Sequence, residues 1–299
     1  MSAPFSQLPS TAKISPSPFN ISIAADQQAD LKTLIQLSRL APPTYENSQA
    51  DRRFGITSDW LKSIREKWIN NFDWQAFETR ANSFPQFTTQ IEGLTVHFVA
   101  LLSQKPDAIP ILTHPVNMCA MVSPPGNISP DTFSATEKQA ATRMKQFMDR
   151  GRAYAEEHGS RLSTIGHVLA SSPLALLAWV GEKYLDWVDK PLPDETVLEM
   201  VSLYWFTESF PRAIYPYREF TPFQEKRPLS LEKELYIHKP LGFSFFPEEI
   251  IPVPPSWVAT TGNLVFSREH VEGGHFAALE LPREMKDDLS AFVERVWVK

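Results

Sequence analysis

The sequence predicts an α/β fold, a sheet of short strands overlaid by helices. Three observations carry this expectation: a strand–turn–strand signature begins at Phe87, a long stretch of helical spacing follows, and short apolar runs return near the end.

Taken in order, Pro18 to Ile23 reads as an extended arm, and Asp26 to Leu37 shows helical spacing behind Asp26 as its cap. After a turn at Pro42-Pro43, the stretch Ser58 to Phe72 places Trp60, Leu61, Ile64, Trp68 and Ile69 on one helical face. Residues 1–90 thus read as a helical leader. Phe87 to Ile91 and Leu94 to Leu101 flank Glu92-Gly93, whose chemistry suits a hairpin turn. Ala108 to Thr113 is a short apolar run of the kind that forms a buried parallel strand. Helical spacing then covers Ala135 to Tyr154, Thr164 to Val188 and Thr196 to Phe210, the last closed by Pro211, which predicts a helical insert near 130–225. Gly242 to Phe246 and Thr260 to Phe266 restore strand character, and Arg283 to Val298 forms a closing amphipathic helix.

Composition narrows the function. The 299 residues are 42% hydrophobic and 21% charged, which places the chain among globular proteins. Its net charge of -6 comes from interspersed acids and bases, so nucleic acid is not an expected partner. Cys119 is the sole cysteine; it excludes an internal disulfide and a Cys-rich zinc site, and it suits a reducing, cytoplasmic setting. Met1 to Pro18 has neither the basic start nor the apolar stretch of a signal peptide. A membrane span needs about 18 consecutive apolar residues, whereas the longest run here, Pro173 to Val180, gives way to Gly181 and Glu182. Eight Trp and twenty Phe suit a pocket for a hydrophobic small molecule, although composition alone favours plain core packing. His158 and His167 show no metal-ligand spacing with His114 or His270, so no metal and no cofactor are expected.

Several phrases are more specific. They are Phe84-Pro85-Gln86-Phe87-Thr88-Thr89, Arg161-Leu162-Ser163-Thr164-Ile165-Gly166, Ser171-Ser172-Pro173, Gly181-Glu182-Lys183-Tyr184, Pro216-Tyr217-Arg218-Glu219, and the stretch from Gly273-Gly274-His275 to Glu280. Together they resemble the microsomal-type epoxide hydrolases, especially the soluble fungal members, over nearly the whole chain. The resemblance implies an α/β-hydrolase-like sheet over 91–129 and 226–299, with 130–225 as its helical lid. It also implies a hydrophobic epoxide as partner and a homodimer. In that family an Asp carboxylate opens the epoxide, a His-activated water cleaves the resulting ester, and two lid tyrosines hydrogen-bond the epoxide oxygen. By resemblance the tyrosines fall on Tyr154 and Tyr217, the base on His275 and its orienting acid on Glu249, with Glu248 as the adjacent alternative.

The chain departs from the family pattern at His114. An oxyanion motif of the form His-Gly-x-Pro should begin there, yet Pro115 follows directly, and Val116 to Met121 resembles a strand far downstream in relatives. At about 30 residues per βαβ unit, the absent segment is on the order of 100 residues and includes the Gly-x-Asp-x-Gly elbow that bears the nucleophile. Between Leu101 and Met144 the only acids are Asp107, Asp131 and Glu137, none in such an elbow, and Gly-x-Ser-x-Gly is missing too. A parallel crossover needs about a dozen residues, so 108–122 cannot supply both flanking family strands and the core sheet is expected to be incomplete. The resulting expectation is an impaired epoxide hydrolase. A non-catalytic binding relative and a truncated gene product remain the alternatives.

Overall fold

Where the N-terminal helices begin follows from the need to satisfy their first backbone N–H groups. The computed structural model describes residues 5–10, 12–105, 107–109, 111, 131, 133–220 and 236–297. Strand β1 (Ser17–Phe19) precedes helix α1 (Ala25–Leu37). Asp26 lies inside the first turn of α1 rather than at its cap; Ala24 is the N-cap, and its N–H donates to Gln27 Oε1. An acid there still faces the positive end of the helix dipole. Thr57 caps α2 (Ser58–Asn70) by accepting the Trp60 N–H, and Asp73 caps α3 (Trp74–Ala81) by accepting that of Ala76.

The hairpin forms as expected from β2 (Gln86–Ile91) and β3 (Leu94–Val99), with positive φ at both Glu92 and Gly93, as a two-residue turn of type I′ requires. Antiparallel β1 completes this three-stranded sheet. The strand expected at Ala108 to Thr113 does not form among the described residues 107–109 and 111, and Ile111 is half exposed. An apolar run becomes a strand only with a ladder partner, and neither described sheet offers these residues one. The His114-Pro115 junction and Cys119 lie outside the described residues.

The insert is more broken than its periodicity suggests. Ser134 and Glu137 form a capping box for α4 (Ala135–Gln146), but a π-helical turn at Phe147–Gly151 and the non-helical Arg152 separate it from α5 (Ala153–Ser160). The helix expected over Thr164 to Val188 is two, α6 (Leu162–Ser171) and α7 (Pro173–Asp186), bent by 115°. Ser172 accepts the Ala175 N–H and Pro173 occupies the first turn, so this dipeptide starts a helix instead of continuing one. Pro211 likewise sits in the first turn of α9 (Phe210–Ala213), after α8 (Asp194–Phe206) has already ended. No single helix among the described residues is long and apolar enough to cross a membrane.

Leader and insert share one core. Leu31 and Ile35 of α1 and Ile64 and Trp68 of α2 are buried in one cluster with Leu169, Leu177, Val180, Val197 and Val201. Each such side chain contributes about 1.5–3 kcal/mol when fully buried. The Trp68 indole N–H is satisfied within this core by Ser202 Oγ at 3.0 Å.

The C-terminal part is a two-stranded parallel sheet, β4 (Ile237–Phe245) and β5 (Gly262–Glu269), separate from the first sheet among the described residues. Helix α10 (Pro255–Val258) lies in the crossover; α11 (Ala277–Glu280) and α12 (Pro282–Val296) follow β5. Asp288 of α12 is buried and accepts Ser244 Oγ–H, Arg268 Nη1–H and His270 Nε2 at 2.5, 2.6 and 2.7 Å. One carboxylate thereby pins the helix across the carboxyl ends of both strands.

Candidate active site

Parallel strands send their C-terminal ends to the same side, the usual place for a site in an α/β sheet. Glu249 follows β4 and His275 follows β5, and there His275 Nδ1 donates to Glu249 Oε1 at 2.7 Å. With the proton held on Nδ1, the Nε2 lone pair is left free to act as a base. Glu249 Oε1 also accepts the Ile250 N–H at 2.7 Å. The neighbouring acid goes elsewhere: Glu248 pairs with Arg143 at 2.5 Å, and the same guanidinium donates to the carbonyls of Glu248 and Glu249. Of the two adjacent carboxylates, Glu249 is therefore the one that reaches the imidazole.

Tyr154 lies in the first turn of α5 and Tyr217 in a 3-10 turn at Tyr215–Phe220, and their rings meet edge to face at 5.9 Å. Burial, together with Tyr217 and the hydrogen bond between the two side chains, raises the Tyr154 hydroxyl far above the ordinary phenol range. It is a neutral O–H donor at any physiological pH.

His158 stands edge-on to both tyrosines, 5.5 Å from Tyr154 and 4.9 Å from Tyr217. Its Nε2 accepts the Trp179 indole N–H at 2.9 Å, and burial followed by the charge of Lys183 lowers its pKa to about 4. The imidazole is neutral, as its partners require.

Trp187 joins the two halves of the site, its ring 5.1 Å from Tyr154 and 5.1 Å from His275. A cavity of about 780 Å³ opens beside it, walled by Phe147, Tyr154, Ile165, Trp179, Lys183 and Trp187. Lys183 Nζ lies 5.1 Å from the Tyr154 ring centre and 5.2 Å from that of Trp179. Sequence reasoning gave Lys183 no role, although Trp179, Lys183 and Trp187 recur every four residues, the spacing that stacks side chains on one helix face. Arg143 was missed for a different reason: its partners are two carbonyls and a carboxylate more than a hundred residues away.

Comparison with known proteins identifies the family and the fold. The family model described as "Epoxide hydrolase N terminus" matches residues 16–116. A protein of Dothistroma septosporum described as "Putative epoxide hydrolase" is 32% identical over 394 residues, covering 97% of this chain and 92% of its own. That alignment exceeds the 299 residues of this chain by 95 positions, so at least that many stand opposite gaps here. The solved structure of Aspergillus niger epoxide hydrolase superposes with a TM-score of 0.89 at 49% identity, covering 98% of this chain and 100% of that one. Juvenile hormone epoxide hydrolase from the silkworm Bombyx mori shares the fold, with a TM-score of 0.77 at 17% identity over 94% of each chain.

Proposed function

Because the chain belongs to the epoxide hydrolase family of the α/β-hydrolase fold, we propose that it holds a hydrophobic epoxide by Tyr154 and Tyr217 and hydrates it slowly to a diol. The observation that carries this reading is the position of Trp187, whose single ring stands 5.1 Å from both Tyr154 and His275, so that acid and base border one shared wall. The phenols polarise the strained C–O bond without bringing a charge into an apolar pocket. Water gives a proton to His275 Nε2 as its oxygen bonds to the epoxide carbon; the C–O bond breaks, and the released oxygen takes a phenolic proton. The imidazolium, stabilised by Glu249, returns its proton to the phenolate through solvent.

The family route begins instead with an Asp ester, and this reading leaves that step out. It is supported by the lack of a Gly-x-Asp-x-Gly elbow in the sequence and by the gapped alignment with the Dothistroma relative. Loss of a nucleophile typically lowers kcat roughly 10⁴- to 10⁶-fold, so the expected activity is residual. The same missing elbow favours a second reading, a lipophile-binding protein without turnover. The test is diol formation from a styrene-type epoxide by the purified chain, alongside His275→Ala and ligand-dependent thermal stabilisation. Slow turnover abolished by His275→Ala supports hydration; stabilisation without turnover supports the binding reading, and neither effect overturns both.

A further inference from the structure

The loop that carries His275 and the loop that leaves α7 are joined through one carboxylate. Glu280 Oε2 accepts the Asp189 N–H at 2.7 Å and the Lys190 N–H at 3.2 Å, while its Oε1 accepts the Gly274 N–H at 3.2 Å. Three more bonds join the same two loops. His275 N–H donates to the Trp187 carbonyl at 2.8 Å, Gly273 N–H to Asp189 Oδ2 at 2.9 Å, and Lys190 Nζ to Glu272 at 2.5 Å. The backbones approach so closely that a Cβ on Gly274 would lie 2.7 Å from the Trp187 carbonyl and 2.8 Å from the Asp189 nitrogen, a distance no side chain tolerates.

No cation is paired with Glu280 among the described residues; backbone N–H groups supply its donors. Such bonds to a carboxylate are charge-assisted and roughly twice as strong as neutral ones. Resting on the reading of His275 as the base, we propose that Glu280 is a positioning residue that locks the His275 loop to the Trp187 loop and so holds the imidazole on Glu249. The coupling is direct. The backbone of the base hangs from the Trp187 carbonyl, and the Trp187 ring is the wall shared by His275 and Tyr154. A displacement of residues 187–190 therefore moves base and acid relative to one another, although they lie more than a hundred residues apart in the chain.

The test measures solvent exchange of the His275 Nδ1 proton by NMR in full-length ¹⁵N-histidine-labelled protein, assigned by its loss in His275→Gln. Glu280→Ala should accelerate that exchange roughly tenfold or more with unchanged circular dichroism, because the hydrogen bond to Glu249 opens more often. Gly274→Ala, which wedges the same loops apart from the other side, should do likewise. Glu280→Gln keeps one carbonyl acceptor but turns an amide N–H against a backbone donor, and an intermediate rate is expected. A wild-type exchange rate in Glu280→Ala overturns the proposal; if that variant unfolds, a wild-type rate in Glu280→Gln overturns it instead. Where wild-type turnover is measurable, Glu280→Ala should lower kcat about tenfold with little change in KM. If the wild type neither binds nor hydrates the epoxide, the functional reading fails while the exchange rate still decides the role of Glu280, since it requires no substrate.

Discussion

The bond from Trp179 Nε1 to His158 Nε2 fixes the protonation state of the aromatic box around the tyrosines. Burial and the nearby Lys183 hold this imidazole at about 4, below its ordinary 6.5, so the unfolded chain binds a proton that the folded one refuses. The stability that His158 contributes is therefore complete above about pH 6.5 and is lost progressively as the pH falls toward 4. Between about pH 7 and 4.5 the loss from this group is on the order of 2–3 kcal/mol. Urea unfolding at both pH values should show that the loss shrinks by this amount in His158→Phe, and equal losses in the two proteins would remove His158 from the account. At the site itself, Tyr154→Phe and Tyr217→Phe should each weaken epoxide-dependent thermal stabilisation, because each deletes one O–H donor to the same oxygen. The family resemblance in the sequence pointed to both tyrosines, His275 and Glu249, with Glu248 as the adjacent alternative to Glu249. Adjacent carboxylates of like chemistry are told apart only by their surroundings, here the Arg143 guanidinium that holds Glu248.

Among the elements, the division of the insert into α6 and α7 shows what periodicity hides. Apolar residues continue at helical spacing on both sides of Ser172-Pro173, and only the cap and the proline mark the 115° bend. Ser172 Oγ accepts the Ala175 N–H and also lies 3.1 Å from Ser38 Oγ, which links the start of α7 to the residue after α1. Ser172→Ala should therefore cost about 1 kcal/mol, the usual value of a lost N-cap. Leu177, fully buried on α7, belongs to the core shared by leader and insert, and Leu177→Ala should cost about 2–5 kcal/mol. Denaturant titration checks both; a Leu177→Ala cost as small as that of Ser172→Ala would mean that α7 is not central to this core. The second strand of the hairpin ends at Val99, two residues before the expected Leu101, but the turn was legible because turn chemistry is local. The expected strand at Ala108 was not, because strand formation depends on a partner that local sequence does not reveal.

At the scale of the whole molecule, the described residues bury two separate apolar clusters, and α4 of the insert packs its Ala141 and Met144 against the one under the parallel strands. Leader and insert bury a large cluster spanning α1, α2, α6, α7 and α8, whereas the cluster under β4 and β5 is centred on Phe133, Val253, Trp257 and Val258. Among the described residues the second cluster buries fewer apolar side chains, so of the two clusters the one under the parallel pair should open locally at lower cost. Native-state hydrogen exchange should find the amides of α7 and α8 exchanging only by global unfolding, and those of β4 and β5 through a cheaper opening. This ordering bears on function because the His275–Glu249 pair stands on the weaker unit while Tyr154 stands on α5, in the insert. The loop contacts around Glu280 and the Trp187 carbonyl, with the bonds from Arg143 of α4 to Glu248 and Glu249, then transmit stability from one unit to the other. An epoxide held by the tyrosines against Trp187 should slow exchange in β4 and β5 as well as in α5, since ordering the Trp187 loop also orders the base loop bonded to it. Protection confined to α5 would show that the two halves of the site respond independently and that Trp187 is a shared wall without being a mechanical link.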